Sequence, residues 1–286
     1  MKTPTKIAIQ GGPASFHDAA ARLLSSKESA IEILPCTTFR SLCQMLCAGE
    51  SALAVMAIEN TLAGSLLPNY TLLQEHNLHI SAEVWLPIDQ CLMALPGQDV
   101  AEIHTVVSHP VALMQCSSFF NQHPHLTPRE AHDTADSAKA IREQQLSGTA
   151  AIAGKAAAEL YGLALLAENI ADTSQNFTRF LLLHREQPEQ TLTANKAILC
   201  FQKPLHTATL TLVLSLLQKH EVEVSLLQTL PAADSGNSLV AELEAATKEQ
   251  LQEAIAQIRP LVEGLQVLGI LQKAELPEQK QTAAIL

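Results

Sequence analysis

The sequence predicts an α/β protein: two lobes around a cleft, followed by a separate βαββαβ module. Three observations carry this. Short apolar runs alternate with helix-period stretches through residue 184. A polar stretch containing Pro188, residues 185–195, then interrupts the pattern and reads as a linker. Beyond it the order is strand (197–202), helix (206–219), strand (222–230), strand (238–244), helix (247–258), strand (264–271), a ferredoxin-like arrangement.

The first strand, residues 6–10, runs into Gln10-Gly11-Gly12-Pro13-Ala14-Ser15. Two glycines there let the backbone approach a ligand closely, and Ser15 is placed to cap a helix. The spacing is neither a dinucleotide fingerprint nor a phosphate-binding Walker loop. After a strand near Ile31–Leu34, Thr37 or Thr38 caps a helix. Its apolar face is Phe39, Leu42, Cys43, Leu46 and Cys47, and Gly49 closes it. Leu53–Ile58 is unbroken apolar, as a strand buried on both faces requires. From its end come Glu59-Asn60-Thr61-Leu62-Ala63-Gly64-Ser65 and a helix with Pro68 in its first turn. Strand, polar glycine-bearing loop and helix N-terminus together suit an anion.

Residues 79–95 alternate and should cross extended into the second lobe. There Thr105–Val107 is a strand, Ser108 is expected to cap a helix opened by Pro110, and Gln115 is expected on the same face as Ser108. Asp133-Thr134-Ala135-Asp136 is a second capped start. A small-residue strand, Ala150–Ala153, a helix to Leu160 and a strand at Leu163–Leu166 follow. The chain then reaches Asn176-Phe177-Thr178-Arg179-Phe180, the polar mouth of an apolar strand, where open α/β sheets place ligands. In the module, Asp234-Ser235-Gly236-Asn237 is the hairpin turn, and the polar tail from Lys273 should fray.

Composition excludes several classes. With 286 residues, 47% of them apolar, the chain has enough for two ordinary domains. A net charge of −11 without a Lys/Arg cluster speaks against nucleic acid. No apolar run reaches the ~20 residues of a membrane span. Met1-Lys2-Thr3-Pro4-Thr5-Lys6 lacks a signal-peptide core, so a cytoplasmic location is expected. The six cysteines form no Cys-x-x-Cys and read as reduced core thiols. The eleven histidines show no metal-ligand spacing, so no metal site is expected.

Five motifs in order now resemble the prephenate dehydratase family. They are Gln10-Gly11, Ile58-Glu59-Asn60-Thr61 with Gly64-Ser65, Ser108-His109-Pro110 with Gln115-Cys116, Asp133-Thr134-Ala135, and Thr178-Arg179-Phe180. Ala167-Glu168-Asn169-Ile170 matches a further family stretch, and the resemblance spans residues 6–184. The βαββαβ tail resembles the ACT domain that usually follows the catalytic region and binds phenylalanine. Thr61 stands where the family commonly has Ser, and Ala14-Ser15 where it has Gly-Ala. With the match starting at residue 6, no room is expected for the chorismate mutase segment of bifunctional members.

The resemblance implies a periplasmic-binding-protein-like pair of subdomains with the active site between them. It implies prephenate as substrate, a carbon–oxygen lyase reaction in phenylalanine biosynthesis, and no cofactor. Active-site positions carry over as Asn60, Ser108, Gln115 and Thr178, with Arg179 and Phe180 beside the last. Thr178 is the implied catalytic donor, and His109 is its rival on pKa grounds. Asn60, Thr61, Ser65, Ser108, Gln115 and Phe180 are substrate-binding candidates, and Arg179 is expected to fork onto a substrate carboxylate. Domain boundaries follow as 1–184 (catalytic, crossing near 80–95 and 160–170), 185–195 (linker), 196–273 (ACT-like) and 274–286 (tail). Arogenate dehydratase and a non-catalytic two-lobed sensor are the alternatives. A homodimer or homotetramer is expected, because an isolated module exposes a sheet face or edge. Phenylalanine control should be weak or altered: Lys203-Pro204-Leu205-His206 replaces the family's Pro-Gly-Ala-Leu turn, and Leu227-Gln228-Thr229-Leu230-Pro231 replaces Glu-Ser-Arg-Pro.

Overall fold

A computed structural model describes residues 3–25, 30–189, 191–230 and 238–277. The first lobe comprises β1 (Thr5–Gln10), α1 (Phe16–Leu24), β2 (Ile31–Cys36), α2 (Phe39–Ala48), β3 (Leu53–Asn60), β4 (Gly64–Ser65), α3 (Leu67–Glu75) and β5 (His79–Pro87). The second comprises β6 (Cys91–Ala94), β7 (Thr105–Ser108), α4 (Pro110–Met114), α5 (Ser117–Gln122), β8 (Thr127–Glu130), α6 (Thr134–Gln144), β9 (Thr149–Ala153), α7 (Lys155–Tyr161) and β10 (Ala164–Ala167). The chain then returns to the first lobe as β11 (Phe177–His184). The C-terminal region is β12 (Lys196–Phe201), α8 (Thr207–Lys219), β13 (Glu223–Leu230), β14 (Ser238–Glu244), α9 (Lys248–Ile258) and β15 (Leu265–Leu271).

Helix starts follow the local chemistry. Ser15 caps α1, Thr38 caps α2 in a reciprocal box with Ser41, and Thr247 does the same for α9 with Gln250. The first sheet runs β2-β1-β3-β11-β5, with β4 off β3. β1 is parallel to β2 and β3, while β11 lies antiparallel between β3 and β5. The second sheet runs β10-β6-β9-β7-β8. Two segments join the lobes and are tied to each other, the Ile88 N–H donating to the Asn176 carbonyl at 2.8 Å. The architecture is therefore α/β, with two mixed sheets facing a cleft.

The third sheet is antiparallel in the order β13-β14-β12-β15, consistent with an ACT domain. One face carries α8 and α9 through Val213, Leu217, Leu251, Ile255 and Ile258. The other face does not wait for a second copy, as the isolated module suggested. Ile198, Cys200, Val240 and Leu268 pack with Met56, Ile58, Leu73, Leu181 and Leu183 of the first lobe in one continuous core. Docking is close enough that a Cβ on Gly269 would stand 2.5 Å from the Ile80 carbonyl oxygen. The expected turn at 234–237 lies outside the described residues. The tail does not fray at Lys273: its N–H donates to Asn195 Oδ1 at 2.7 Å, and the Ala274 N–H donates to Glu83 Oε1 at 3.0 Å. All six cysteines are free thiols.

Candidate active site

A cavity of about 310 Å³ opens between the two lobes. Gln10, His17, Asn60, Thr178 and Phe180 line it from the first lobe, and His109, Gln115 and Asp133 from the second. Phe16, Phe39, Leu66, Ile88 and Val111 make much of its wall apolar. Among the described residues, no lysine or arginine lines it.

Register explains why Asn60 meets Thr178. Thr178 pairs with Asn60 and Arg179 with Glu59, but Phe180 pairs with Ala57, so Ile58 is an extra residue on β3. Upstream of this bulge, Val55 and Ala57 face α1 while Met56 and Ile58 face the C-terminal sheet. The bulge reverses that alternation. Glu59 arrives on the same side as Arg179, and Asn60 on the cavity side with Thr178.

Asn60 is then the centre of a hydrogen-bond network. Its Nδ2 donates to Thr178 Oγ1 at 2.9 Å and to Asn176 Oδ1 at 2.8 Å, and its Oδ1 accepts from the N–H groups of Leu62 and Ala63. Asn176 Nδ2 in turn donates to Gln115 Oε1 at 3.0 Å, which joins the second lobe to the same chain of bonds. Because Thr178 Oγ1 accepts from Asn60, its own hydrogen is left to donate into the cavity.

Four of the eight sequence candidates, Asn60, Gln115, Thr178 and Phe180, line the cavity. Four do not: a tertiary partner claims the side chains of Thr61, Ser108 and Arg179, and Ser65 lies in the short strand β4. Thr61 Oγ1 donates to the Gln175 carbonyl and accepts from the Phe177 N–H, pinning the β3–β4 turn to the returning chain. Ser65 pairs with Glu59 in the short β4 strand. Ser108 is fully buried and donates to the Ile152 carbonyl at 2.6 Å. It is not the helix cap, because His109 Nδ1 takes that place, accepting from the Val111 N–H at 3.2 Å. Helix α4 spans five residues, so the shared face expected for Ser108 and Gln115 does not form.

Arg179 is the largest correction. Consecutive strand residues point to opposite faces, so Arg179 turns its back on the cavity that Thr178 enters. Its side chain is 2% exposed and forks onto Glu242 at 2.7 and 2.8 Å, with Glu83 at 3.0 Å and Glu59 at 2.9 Å. The paired planar contact expected with a substrate carboxylate is made with a protein carboxylate. Burial alone would raise the Glu242 carboxyl, but the hydrogen bonds and charge of Arg179 outweigh it and hold the group at about 2.

The cavity also holds residues that the motifs did not single out. His17, in the first turn of α1, accepts from the Ala57 N–H at 3.4 Å and meets the Phe180 ring edge-on at 4.9 Å. Burial pushes its pKa down to about 4, so it is neutral. Its one sequence signal is its place two residues after Ser15, at the start of the helix that follows β1. Asp133 caps α6 through the Ala135 and Asp136 N–H groups, and burial raises its pKa. Gly11, at φ +84, lets the lobes close: a Cβ there would stand 3.0 Å from Asp133 Oδ2.

A model described as "Prephenate dehydratase" matches residues 7–188. The chain is 43% identical over 182 residues to arogenate dehydratase 1 of Petunia hybrida, covering 63% of this chain and 42% of that protein. Thus it spans less than half the length of that relative. It is 31% identical over 270 residues to the bifunctional chorismate mutase/prephenate dehydratase of Enterobacter agglomerans, covering 92% of this chain and 70% of that one. Among solved structures it is similar to the Arthrobacter aurescens prephenate dehydratase in complex with L-Phe, with 25% identity and a TM-score of 0.83 over 96% of this chain and 92% of that one. It is also similar to GqqA, described as a novel type of quorum quenching acylase, with 28% identity and a TM-score of 0.81 over 93% and 97% of the two chains. With the match covering well over half of its residues, this chain belongs to the prephenate dehydratase family.

Proposed function

We propose that the protein converts prephenate to phenylpyruvate, carbon dioxide and water in L-phenylalanine biosynthesis. The bond from the ring to its carboxylate breaks, the electron pair enters the diene, and the C–O bond opposite breaks as the ring becomes aromatic. The departing hydroxide needs a proton, and aromatisation supplies the driving force, so these steps call on no cofactor. The observation that supports this reading best is Thr178, whose hydroxyl accepts from Asn60 and is left a hydrogen to donate into the cavity. A threonine is too weak an acid to act alone, so it serves as a hydrogen-bond donor or relay to the departing oxygen, and the one proton consumed in forming water comes ultimately from solvent hydronium. His109 is the rival donor. Its Nδ1 is engaged as a helix cap, and its neutral form therefore carries the proton on Nε2.

A cavity with an apolar wall and neutral donors suits decarboxylation, because a poorly solvated carboxylate is easier to lose. The orphaned N–H groups at the start of α1, beside Ser15 and Phe16, are available to the retained carboxylate. Incubation with prephenate, followed by the ultraviolet absorbance of phenylpyruvate, tests the proposal. No turnover by the folded protein would refute it.

Arogenate is the second reading. The same cavity presents the Asp133 carboxylate, which could meet the substrate's ammonium group, and the Petunia hybrida relative is named an arogenate dehydratase. Comparing kcat/KM on both substrates decides between them. Among the described residues, no helix is long and apolar enough to cross a membrane. A cytoplasmic homo-oligomer is the form we propose.

A further inference from the structure

The cavity and the C-terminal sheet meet at one dipeptide. Thr178 faces the cavity, and the next residue, Arg179, is held by Glu242 of β14 through two hydrogen bonds, Nη1 to Oε2 at 2.8 Å and Nη2 to Oε1 at 2.7 Å. Lys196 of β12 bridges the same Glu242 at 2.9 Å and also Glu83 of β5 at 3.1 Å. Tyr70 of α3 donates its hydroxyl hydrogen to Glu242 and lies 3.2 Å from Arg179 Nη2. On the β3 side, Arg179 also holds Glu59, the residue just before Asn60.

Arg179 and Glu59 are the chain neighbours of Thr178 and Asn60, so their ion pair and the Asn60–Thr178 hydrogen bond lie on adjacent rungs of the β3–β11 ladder. Glu59 is held at the β3 bulge, where regular pairing is interrupted and position depends on side-chain partners. A guanidinium clamped on three carboxylates has one arrangement. Without the Glu242 carboxylate, it would divide its donors among Glu59, Glu83 and the Tyr70 hydroxyl.

We propose that Glu242 is a positioning residue for the cavity: by clamping Arg179 it fixes the β3–β11 bulge, and with it the Asn60–Thr178 hydrogen bond. The C-terminal sheet is then part of the machinery that aims the threonine, without touching the ligand. This rests on the dehydratase reading only for its kinetic readout.

The test compares the full chain with Glu242→Gln, which keeps the shape and loses the charge, and with Leu268→Ala, which weakens the same docking surface away from Arg179. Expected for Glu242→Gln is a fall in kcat of about tenfold with KM within about twofold, as for a group coupled to the transition state. Leu268→Ala should leave kcat intact at temperatures where both variants are folded. Unchanged kcat in Glu242→Gln, or an equal loss in both variants, overturns the proposal. If Glu242→Gln does not fold, Glu242→Asp, with the charge one methylene short, reads the same split.

Amide hydrogen exchange supplies an arm that needs no substrate. Exchange at residues 60–63 and 176–180 should rise about tenfold in the Glu242 variant and not in Leu268→Ala. If the wild type turns over neither prephenate nor arogenate, the functional reading fails while this arm still decides the coupling. Unchanged exchange there refutes the coupling by itself.

Discussion

Thr178 and Arg179 are adjacent in sequence and are held by different parts of the chain. Thr178 Oγ1 accepts from Asn60 at 2.9 Å inside the cavity, while Arg179 forks onto Glu242 of the C-terminal sheet at 2.7 and 2.8 Å. One turn of the strand's pleat separates the candidate chemistry from the junction that supports it.

Thr178→Ala removes the hydroxyl that faces the cavity. Its kcat should fall ~10²-fold or more, the range for acid–base assistance, with a smaller change in KM. Thr178→Ser should keep most of the activity, because the hydroxyl and its acceptor role toward Asn60 survive. A near-normal kcat in the alanine variant would move the role to His109 or to water.

Arg179→Lys should act on stability rather than on substrate binding. An ammonium cannot span both Glu242 oxygens as the planar fork does. Removing one partner of a buried pair costs roughly 3–5 kcal/mol, so Arg179→Ala belongs in that range and the lysine variant below it. Thermal melts should show the loss, with KM within about twofold of wild type. A large rise in KM at full stability would return Arg179 to the substrate.

His17 makes stability depend on pH. Its folded pKa lies at about 4 and its ordinary value is 6.5, with burial as the cause. Between those values the unfolded chain binds a proton that the native state refuses, so stability falls as pH drops from 6.5 towards 4. Above that window the group contributes no penalty. Melting temperatures across it should fall less steeply in His17→Gln than in wild type. Parallel curves would show that the histidine is protonated in the folded state.

Phenylalanine should inhibit poorly. The space between α8 and β13 is lined by Leu205, Leu210, Val213, Leu214, Val224 and Leu227, with no charged side chain among its described lining residues. An amino acid's ammonium and carboxylate would be buried there without partners, at a cost of several kcal/mol. L-phenylalanine is titrated against activity and melting temperature. Inhibition at micromolar concentration with a matching rise in melting temperature would refute this.

Association should run through β13. Among the described residues it is one of the two edge strands of the C-terminal sheet, and Val224 and Leu227 on it are exposed together with Leu212 and Leu214 of α8. Light scattering should give a dimer or a tetramer, and Leu227→Lys should shift it towards monomer. A strictly monomeric wild type would end this line.

By itself the sequence determined the α/β class, the βαββαβ order of the C-terminal region, the helix caps at Ser15, Thr38 and Asp133, and the stretch containing Thr178. Those features depend on hydrophobic period and on residues within a few positions of one another, and both are local. The same locality explains Asn60: a polar residue ending an apolar strand is visible without a partner. Only the tertiary structure decided where Arg179, Ser108 and His17 belong. The sequence places Arg179 beside Thr178, but which face of β11 it takes, and the Glu242 waiting there 63 residues later, depend on how the third sheet docks. Ser108 gave up its expected cap to His109 because the Ile152 carbonyl on the neighbouring strand claimed its hydroxyl. His17 lacked a motif. It became a cavity residue only when β3 and Phe180 of β11 packed against α1 and took up part of its ring. Partners distant in the chain settle such side chains, because a buried polar group takes whichever hydrogen-bond partner the packing brings within reach.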